Sequence, residues 1–234
     1  MPSWDPAAID HAGVPEATTV LALKTADGVA MVGDRRATMG NLIAHRRMDK
    51  VFPADSHSAV AIAGTAGIAM ELVKLFQTEL EHYEKLEGNR LSLEGKANYL
   101  GALVRNQMPL ALQGMAVVPL FCGYDESDGR GRIYTYDVVG GRYEEVEYAA
   151  TGSGSVHAKA YLRAVFRDDL TREEAAAAAI EAIVAASDED TATGGPDIQR
   201  GIYPIVAIVE ESGYHELDEA EVERISREVL ERQS

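Results

Sequence analysis

The sequence predicts an α+β fold in which antiparallel sheets are covered by helices on their outer faces. Segments with the alternation and β-branched content of strands occur in blocks. Segments with apolar residues at helical spacing occur mostly in pairs between those blocks. A doubly wound parallel fold would instead alternate single strands with single helices. With 234 residues, of which 46% are apolar, the chain is long enough to bury the core of one such domain.

The first block of strands opens with a predicted hairpin. Residues 18–24 and 29–33 have strand character, and the Asp27-Gly28 pair between them favours a tight turn. A further strand is predicted at 59–63, where an apolar run ends at a glycine. The block is therefore expected to form antiparallel pairs.

The rest of the chain continues the same block pattern. Apolar residues at helical spacing predict two helices, at 66–84 and 93–112. The later elements are predicted as strands at 117–124, 131–138 and 143–148, helices at 155–166 and 171–186, a strand at 201–210 and a helix at 218–232. Thr171 and Glu174 form the signature of a capping box, which marks the start of a helix.

The chain is acidic, with 22 Lys and Arg against 38 Asp and Glu and a formal charge of −16. Such a surface repels phosphate groups, so neither nucleic acid nor an anionic membrane is expected as the main partner. No stretch reaches the ~20 apolar residues of a membrane span, and the start of the chain lacks the features of a secretory signal. We therefore expect a cytoplasmic protein. The single cysteine, Cys122, lies in an apolar strand-like run and is predicted to be a buried thiol.

Common enzyme signatures are missing from the sequence. There is no GxSxG elbow, no HExxH pair and no Gly-rich phosphate loop ending in Lys-Ser/Thr. The six histidines show no ligand spacing, and Asp188-Glu189-Asp190 lacks the regular oxygen spacing of a calcium loop. We therefore expect a mechanism that needs neither a metal ion nor an organic cofactor.

A Thr-Thr pair follows the first 17 residues and suggests a different chemistry. Residues 1–17 carry prolines and acidic side chains but no amphipathic period, which is typical of a leader rather than a packed element. An N-terminal threonine carries its own base, because its α-amine, with a pKa of about 7.7–8.0, lies within reach of its hydroxyl. That amine exists only after the preceding peptide bond is cut. The predicted cleavage site is therefore the bond between Ala17 and Thr18.

Several segments together resemble one family. They are TTVLALKTADGVAMVGDRRAT from Thr18, MDKVF around Lys50, AIAGTAG around Gly64, EHYEKLEG from Glu81, ATGSGS from Ala150 and DEDTATGGPDIQRGIYP from Asp188. In this order and approximate spacing they resemble the proteasome β-subunits, which are N-terminal-nucleophile hydrolases, and EHYEKLEG and TATGGPD resemble the actinobacterial members. The resemblance implies a four-layer αββα sandwich, with two antiparallel sheets between helix layers. It also implies a leader at 1–17, a single catalytic domain at 18–234, and threonine endopeptidase activity.

The resemblance also implies roles for individual residues. Thr18 would be the nucleophile, and its freed amine would be the general base. Lys50 would lower the cost of deprotonating the hydroxyl, and Asp34 would keep that lysine charged. Gly64 would direct its backbone N–H at the developing oxyanion. The remaining site positions form a polar shell that orients the threonine: Ser153, Asp190 and Thr193.

The resemblance places the pocket for the substrate side chain on six uncharged positions. They are Ala37, Met48, Phe52, Ile62, Ala66 and Met70. An uncharged pocket gains free energy by burying an apolar side chain and disfavours a charged one, which would lose its hydration. We therefore expect cleavage after bulky apolar residues.

By the same resemblance, the chain would assemble into a seven-membered β ring stacked on α-subunit rings. A ring-shaped ATPase acting through the α rings would deliver unfolded protein substrates. One departure concerns Ala17, because the family has glycine there. The added methyl group is expected either to slow self-processing or to confine it to the assembled particle.

Four other interpretations stay open at the level of the sequence. An unprocessed, catalytically silent subunit of the β ring would keep its leader. An α-type subunit would begin with a helix instead of a leader. A subunit of the simpler two-ring bacterial protease would be shorter at its C-terminal end. A generic acidic binding domain would have no peptidase activity and form no ring.

Overall fold

A computed structural model of the chain describes residues 18–233, and its elements occur in blocks. Six strands come first: β1 (Thr19–Lys24), β2 (Gly28–Gly33), β3 (Ala37–Met39), β4 (Leu42–His45), β5 (Val51–Asp55) and β6 (Ser58–Gly64). Three helices follow: α1 (Ala66–Glu87), α2 (Leu93–Asn106) and α3 (Met108–Ala111). The second block of strands is β7 (Val117–Asp125), β8 (Arg130–Tyr136), β9 (Arg142–Glu145) and β10 (Tyr148–Gly152). The remaining elements are α4 (Ser155–Val165), α5 (Arg172–Glu189), β11 (Ile205–Glu210), β12 (Gly213–Glu216) and α6 (Glu219–Gln233).

Ten of the strands form two five-stranded sheets. The first sheet has the order β10-β1-β2-β11-β12, and the second is a meander in the order β5-β6-β7-β8-β9. Strands β3 and β4 form a separate hairpin. Every strand pairing within residues 18–233 is antiparallel, as the block pattern predicts.

The two sheets face each other, and helices cover both outer faces. In β1, Val20 and Ala22 belong to the apolar cluster between the sheets, while Leu21 and Leu23 belong to the cluster under α4, α5 and α6. The second sheet packs against α1 and α2 through a third cluster that contains Phe76. Successive strand residues point to opposite faces, so both faces of β1 are buried. The molecule is therefore the four-layer αββα sandwich that the resemblance implies.

Two predicted elements are each divided in the structure. The helix predicted at 93–112 is broken at Gln107, because Pro109 has no N–H to donate to the carbonyl of Arg105 four residues earlier. The strand predicted at 143–148 is two strands, since β9 lies at the edge of the second sheet and β10 at the edge of the first. Residues 146–147 carry the chain from one sheet to the other.

Four strands were not predicted, and one was shorter than expected. The short strands β3, β4 and β12 and the edge strand β5 have too few residues for a clear period. The strand predicted at 201–210 begins only at Ile205, after an isolated bridge between Asp197 and Ile202. No helix within residues 18–233 is both long and apolar enough to span a bilayer.

The predicted capping box begins helix α5. The Thr171 hydroxyl accepts a hydrogen bond from the Glu174 backbone N–H at 3.3 Å, and the Glu174 carboxylate accepts one from the Thr171 N–H at 2.9 Å. Helix α5 contributes most of its alanines to the core under the first sheet. The cap therefore stabilises a helix on which an entire layer depends.

Replacing Thr171 with alanine is expected to lower the free energy of unfolding by about 1 kcal/mol, because one helix N–H loses its acceptor. Urea denaturation of the purified chain measures this as a lower midpoint at unchanged slope. Thr78→Ala is the matched control: Thr78 lies exposed inside α1, and its hydroxyl bonds only to the Lys74 carbonyl. Equal midpoints for the two variants would contradict a role for the cap.

Candidate active site

Three strand ends meet at one edge of the sandwich. Thr18 directly precedes β1 and Asp34 directly follows β2, and the antiparallel pairing of Val20 with Gly33 places these two ends side by side. Lys50 directly precedes β5 in the second sheet. A Cβ atom added at Gly33 would lie 3.0 Å from the Val51 side chain and 3.4 Å from Lys50 Cβ. A glycine at position 33 thus allows the two sheets to approach closely where Lys50 meets Asp34.

Lys50 and Asp34 form an ion pair that is removed from solvent. Lys50 Nζ lies 2.6 Å from Asp34 Oδ1, and both side chains are 0% exposed. The Lys50 ammonium also donates to the Arg36 carbonyl. Asp34 Oδ1 accepts a second hydrogen bond, at 2.9 Å, from the Thr19 backbone N–H. Since Thr19 N is bonded to the Thr18 carbonyl carbon, the ion pair lies against the peptide that follows Thr18.

The other Asp34 oxygen is held by the backbone. Asp34 Oδ2 accepts hydrogen bonds from the Arg36 and Gly194 N–H groups, each at 2.9 Å. Burial lowers the pKa of the Lys50 ammonium, and the charge and hydrogen bond of Asp34 oppose that shift without cancelling it. Because both oxygens of the Asp34 carboxylate accept hydrogen bonds, the carboxylate is fixed in position, and so is the Lys50 ammonium that pairs with it. The arrangement places an ammonium group next to the peptide that joins Thr18 and Thr19.

A second polar cluster forms around Asp190, at the end of α5. Asp190 Oδ2 accepts hydrogen bonds from Ser153 Oγ and Thr193 Oγ1, both at 2.6 Å, and Oδ1 accepts one from the Ala192 N–H at 3.2 Å. Burial alone would raise the pKa of Asp190, but the hydrogen bonds from Ser153, Thr193 and Ala192 bring this pKa below its ordinary value. Asp190 is therefore a stable carboxylate that orients two hydroxyl groups.

This second cluster contacts the Thr18–Thr19 unit directly. The Ser153 N–H donates to the Thr18 carbonyl at 3.0 Å, and the Gly154 N–H donates to Thr19 Oγ1 at 2.9 Å. Thr19 Oγ1 also lies 2.6 Å from Thr193 Oγ1. Because the Thr193 hydroxyl proton is directed at Asp190, the Thr19 hydroxyl donates in this contact. The start of β1 is thus held by Asp34 on one side and by the Asp190 cluster on the other.

Glycine is required at two positions of the site. Gly152 has φ +101°, and a Cβ there would lie 1.7 Å from the Thr18 carbonyl oxygen. Gly64, the last residue of β6, has φ +109°, and a Cβ there would lie 2.1 Å from the Ala116 carbonyl oxygen. Within residues 18–233, no hydrogen bond joins Gly64 to the two polar clusters. It lies two residues beyond Ile62, whose N–H donates to the Lys50 carbonyl at 3.0 Å.

A cavity of about 720 Å³ is lined by residues that lie close in sequence to the site: Met48 is two residues before Lys50, and Ala66 is two residues after Gly64. Its apolar floor consists of Met48, Ala66, Met70 and Ile202. Three of these are among the six predicted pocket positions. The other three predicted positions do not line the cavity: Ala37 and Ile62 are each 2% exposed, and Phe52 packs against the core under α1 and α2. Half of the predicted pocket residues therefore line the cavity, and the other half do not.

The remaining side chains around this cavity are basic, and sequence reasoning missed them. This cationic rim consists of His45, Arg46, Arg47 and Arg200. Three of the four stand together in the sequence immediately before Met48, so the run His45-Arg46-Arg47 was the available signal. The hydrogen bonds of Thr19 and Arg36 to the clusters were also missed, because a threonine inside a strand and a backbone carbonyl carry no sequence signature.

Other predicted residues lie elsewhere or outside the described part. Ala17, and with it the proposed leader at 1–17, lies outside the described residues. Cys122 lies in β7 with no exposed surface, and burial raises the pKa of its thiol, as expected for a structural cysteine. Asp188 and Glu189 end helix α5. Within residues 18–233, no three His, Cys, Asp or Glu side chains form a group that could hold a metal ion.

Two antiparallel sheets that face each other between two layers of helices make up the αββα fold of the N-terminal-nucleophile hydrolase type. Within that class, the chain belongs to the proteasome subunit family, which matches residues 14–198.

Relatives of the chain agree with this family assignment. It is 55% identical to a protein named proteasome subunit beta from Streptomyces griseus, over 93% of this chain and 78% of the relative. Proteins of the same name from Acidothermus cellulolyticus and Acidimicrobium ferrooxidans are each 53% identical, over 93% of this chain and 76% and 80% of their own lengths. The predicted resemblance to actinobacterial proteasome β-subunits is confirmed.

Proposed function

We propose that the chain is a threonine endopeptidase of the proteasome β type, in which removal of residues 1–17 exposes Thr18 as nucleophile and base. The observation that carries this proposal is the buried Lys50–Asp34 pair, joined at 2.6 Å and hydrogen-bonded to the Thr19 N–H. Burying two charges costs free energy that apolar residues would not require. An ammonium at this position stabilises an alkoxide on the neighbouring threonine, which gives the pair a chemical use.

Activation requires one internal acyl transfer. Thr18 Oγ attacks the Ala17 carbonyl carbon, the Ala17–Thr18 C–N bond breaks, and the hydroxyl proton passes to the nitrogen, so that an ester and a free amine form. Water then hydrolyses the ester and releases the leader. The Ser153 N–H on the Thr18 carbonyl and Asp34 on the Thr19 N–H hold the attacking residue in place. Alanine in place of the family's glycine at the attacked residue slows this step.

Peptide hydrolysis then uses the freed amine. The amine takes the Oγ proton as Oγ attacks the substrate carbonyl, and the resulting ammonium returns that proton to the leaving amine. Water, deprotonated by the same amine, hydrolyses the acyl ester and restores the hydroxyl. Lys50 stabilises the developing negative charge on Oγ, and the Gly64 N–H stabilises the oxyanion. The Asp190 cluster, with Ser153 and Thr193, orients the threonine, and no metal or organic cofactor enters the reaction.

The assembly follows from the family. The relatives are named as β-subunits of a proteasome. We propose that this chain likewise forms a seven-membered ring between α-subunit rings in the cytoplasm. A closed chamber would admit unfolded chains delivered by a ring-shaped ATPase and exclude folded proteins. This enclosure would allow a broadly acting peptidase to be present among folded proteins.

The N-terminus of the assembled protein tests the proposal. The chain is co-expressed with an α-subunit of an actinobacterial proteasome, and the particle is analysed by intact-mass spectrometry. We expect a β-chain that starts at Thr18. A particle whose β-chains keep residues 1–17 would favour the second candidate, a structural ring subunit, for which the alanine before Thr18 is the specific argument. The mass difference of 17 residues makes the two outcomes unmistakable.

Substrate preference should follow the apolar floor of the cavity. We expect kcat/KM for peptides with Leu or Tyr before the scissile bond to exceed that for Arg by about 10-fold or more, because burying such a side chain stabilises the complex by roughly 1.5–3 kcal/mol. Arginine would meet the cationic rim as well. Fluorogenic peptides that differ only at this residue measure the ratio. Fastest cleavage after Arg, or after Glu, would contradict the assignment of the floor.

A further inference from the structure

The cavity of about 720 Å³ combines two surfaces of different character. The apolar floor of Met48, Ala66, Met70 and Ile202 lies next to the cationic rim of His45, Arg46, Arg47 and Arg200. None of the described residues that line the cavity is acidic. The chain has a formal charge of −16, with 38 acidic residues against 22 basic ones. The charge around the cavity is therefore opposite in sign to the net charge of the chain.

The arginines of the cationic rim differ in how far their charge is already compensated. Arg200 pairs with Asp197 at 2.7 Å. Arg47 donates to the carbonyls of Arg200 and Gly201 at 2.8 and 2.9 Å, which fixes its position without neutralising it. Arg46 is exposed and, within residues 18–233, makes no hydrogen bond or ion pair. Arg46 therefore has all its guanidinium donors available for a ligand.

Arg46 also lines two cavities, which share Arg46 and Ile202. It borders the large cavity and a smaller cleft that is lined by Arg36 and Gly194, the two residues whose N–H groups hold Asp34. Met48 and Ala66 are each two residues from proposed site residues, Lys50 and Gly64. A substrate side chain that binds on the apolar floor therefore belongs to a residue close to the scissile bond. The next residues of the same substrate peptide then pass the cationic rim.

We propose that Arg46 is a specificity-determining residue that selects peptides carrying a carboxylate side chain next to the bulky apolar residue. This inference rests on the proposed function. An extended peptide advances about 3.3 Å per residue, so an Asp or Glu one or two positions away lies within reach of the long Arg46 side chain. The guanidinium binds the carboxylate through charge-assisted hydrogen bonds, while the apolar side chain occupies the floor. The preferred substrate is thus an apolar–acidic segment, which a purely apolar pocket would not distinguish.

Internally quenched peptides that share one Leu and carry Glu, Gln or Lys at one flanking position test this inference. The readout is the ratio of kcat/KM for the Glu and Gln peptides within each protein, so a general loss of activity cancels. For the unmodified particle we expect a ratio of about five at low salt, falling towards one at high salt as the charges are screened. In Arg46→Gln the ratio should be close to one at all salt concentrations, and in Arg46→Glu the Lys peptide should become preferred over the Glu peptide.

Arg163→Gln is the matched control, since Arg163 is an exposed arginine on α4, in the opposite helix layer. It should keep the ratio of the unmodified particle. The inference is overturned if Arg46→Gln keeps that ratio as well. If no peptide is hydrolysed by any protein, the proposed function fails, and the inference is still decided by binding. Fluorescence anisotropy would then compare the binding of labelled Glu and Gln peptides to the Thr18→Ala particle. A lower Kd for the Glu peptide that is lost when Arg46→Gln is added supports the inference, and equal Kd values overturn it.

Discussion

Thr18→Ala is expected to abolish peptide hydrolysis, with kcat/KM falling by about 10⁴-fold or more. The methyl side chain removes the atom that attacks the substrate carbonyl, and no other group can replace it. Thr19 is the only neighbouring hydroxyl on β1, and it is already held by Thr193 and Gly154. The variant should also keep residues 1–17, because the same hydroxyl is needed to cut the bond after Ala17. Peptide assay and intact mass of the assembled particle measure both effects.

Two companion variants distinguish loss of chemistry from loss of structure. Thr18→Ser keeps a hydroxyl and should retain measurable activity and processing. Thr78→Ala removes an exposed threonine from α1 and should leave both unchanged. Particles of Thr18→Ala should still assemble, since the Thr18 contacts within the clusters are made by its backbone carbonyl. Full peptidase activity in Thr18→Ala would show that the nucleophile is a different residue.

Part of the site follows from local sequence pattern alone. The strands predicted at 18–24 and 29–33 and the Asp27-Gly28 turn describe a hairpin, and in an antiparallel hairpin the first residue of one strand lies beside the last residue of the other. The proximity of Thr18 and Asp34 is therefore a consequence of β-pairing that the sequence predicts. Thr18 and Asp34 are both buried, because β1 and β2 belong to a sheet that is covered by the second sheet on one face and by helices on the other.

The position of Lys50 could not be predicted in the same way. Strand β5 is a short edge strand with Pro53 inside it, so its pattern is weak. Its approach to Asp34 depends on how the two sheets stack, which is a property of tertiary packing and of the space that Gly33 leaves. Only the resemblance to a family indicated the pair, and only the coordinates gave its distance and burial.

Long-range arrangement also explains the other differences. Residues 143–148 were predicted as one strand because their sequence shows one continuous period. Periodicity does not record that β9 and β10 belong to different sheets. The cationic rim combines the run at 45–47 with Arg200, which is more than 150 residues away in the sequence. A run of basic residues by itself is most often a solvated surface, so its relation to a cavity required the fold.

Lys50→Met is expected to have the second largest effect, because it changes both catalysis and stability. Peptidase activity should fall by about 10²-fold or more, since the alkoxide loses its neighbouring positive charge. The free energy of unfolding should fall by about 3–5 kcal/mol, because Asp34 remains buried without its cation. Peptide assay of the particle and chemical denaturation of the chain measure the two effects separately.

A second substitution separates the two losses. In Lys50→Met with Asp34→Asn, no charge is left unpaired in the interior, so much of the stability should return while activity stays low. Lys85→Met is the control, since Lys85 pairs with Glu81 on the exposed surface of α1 and should change neither quantity appreciably. If the double variant recovered activity together with stability, the lysine would be a structural residue only. Persistent inactivity in a stable double variant would instead place the Lys50 charge in the reaction, because stability and catalysis would then depend on different properties of the same ion pair.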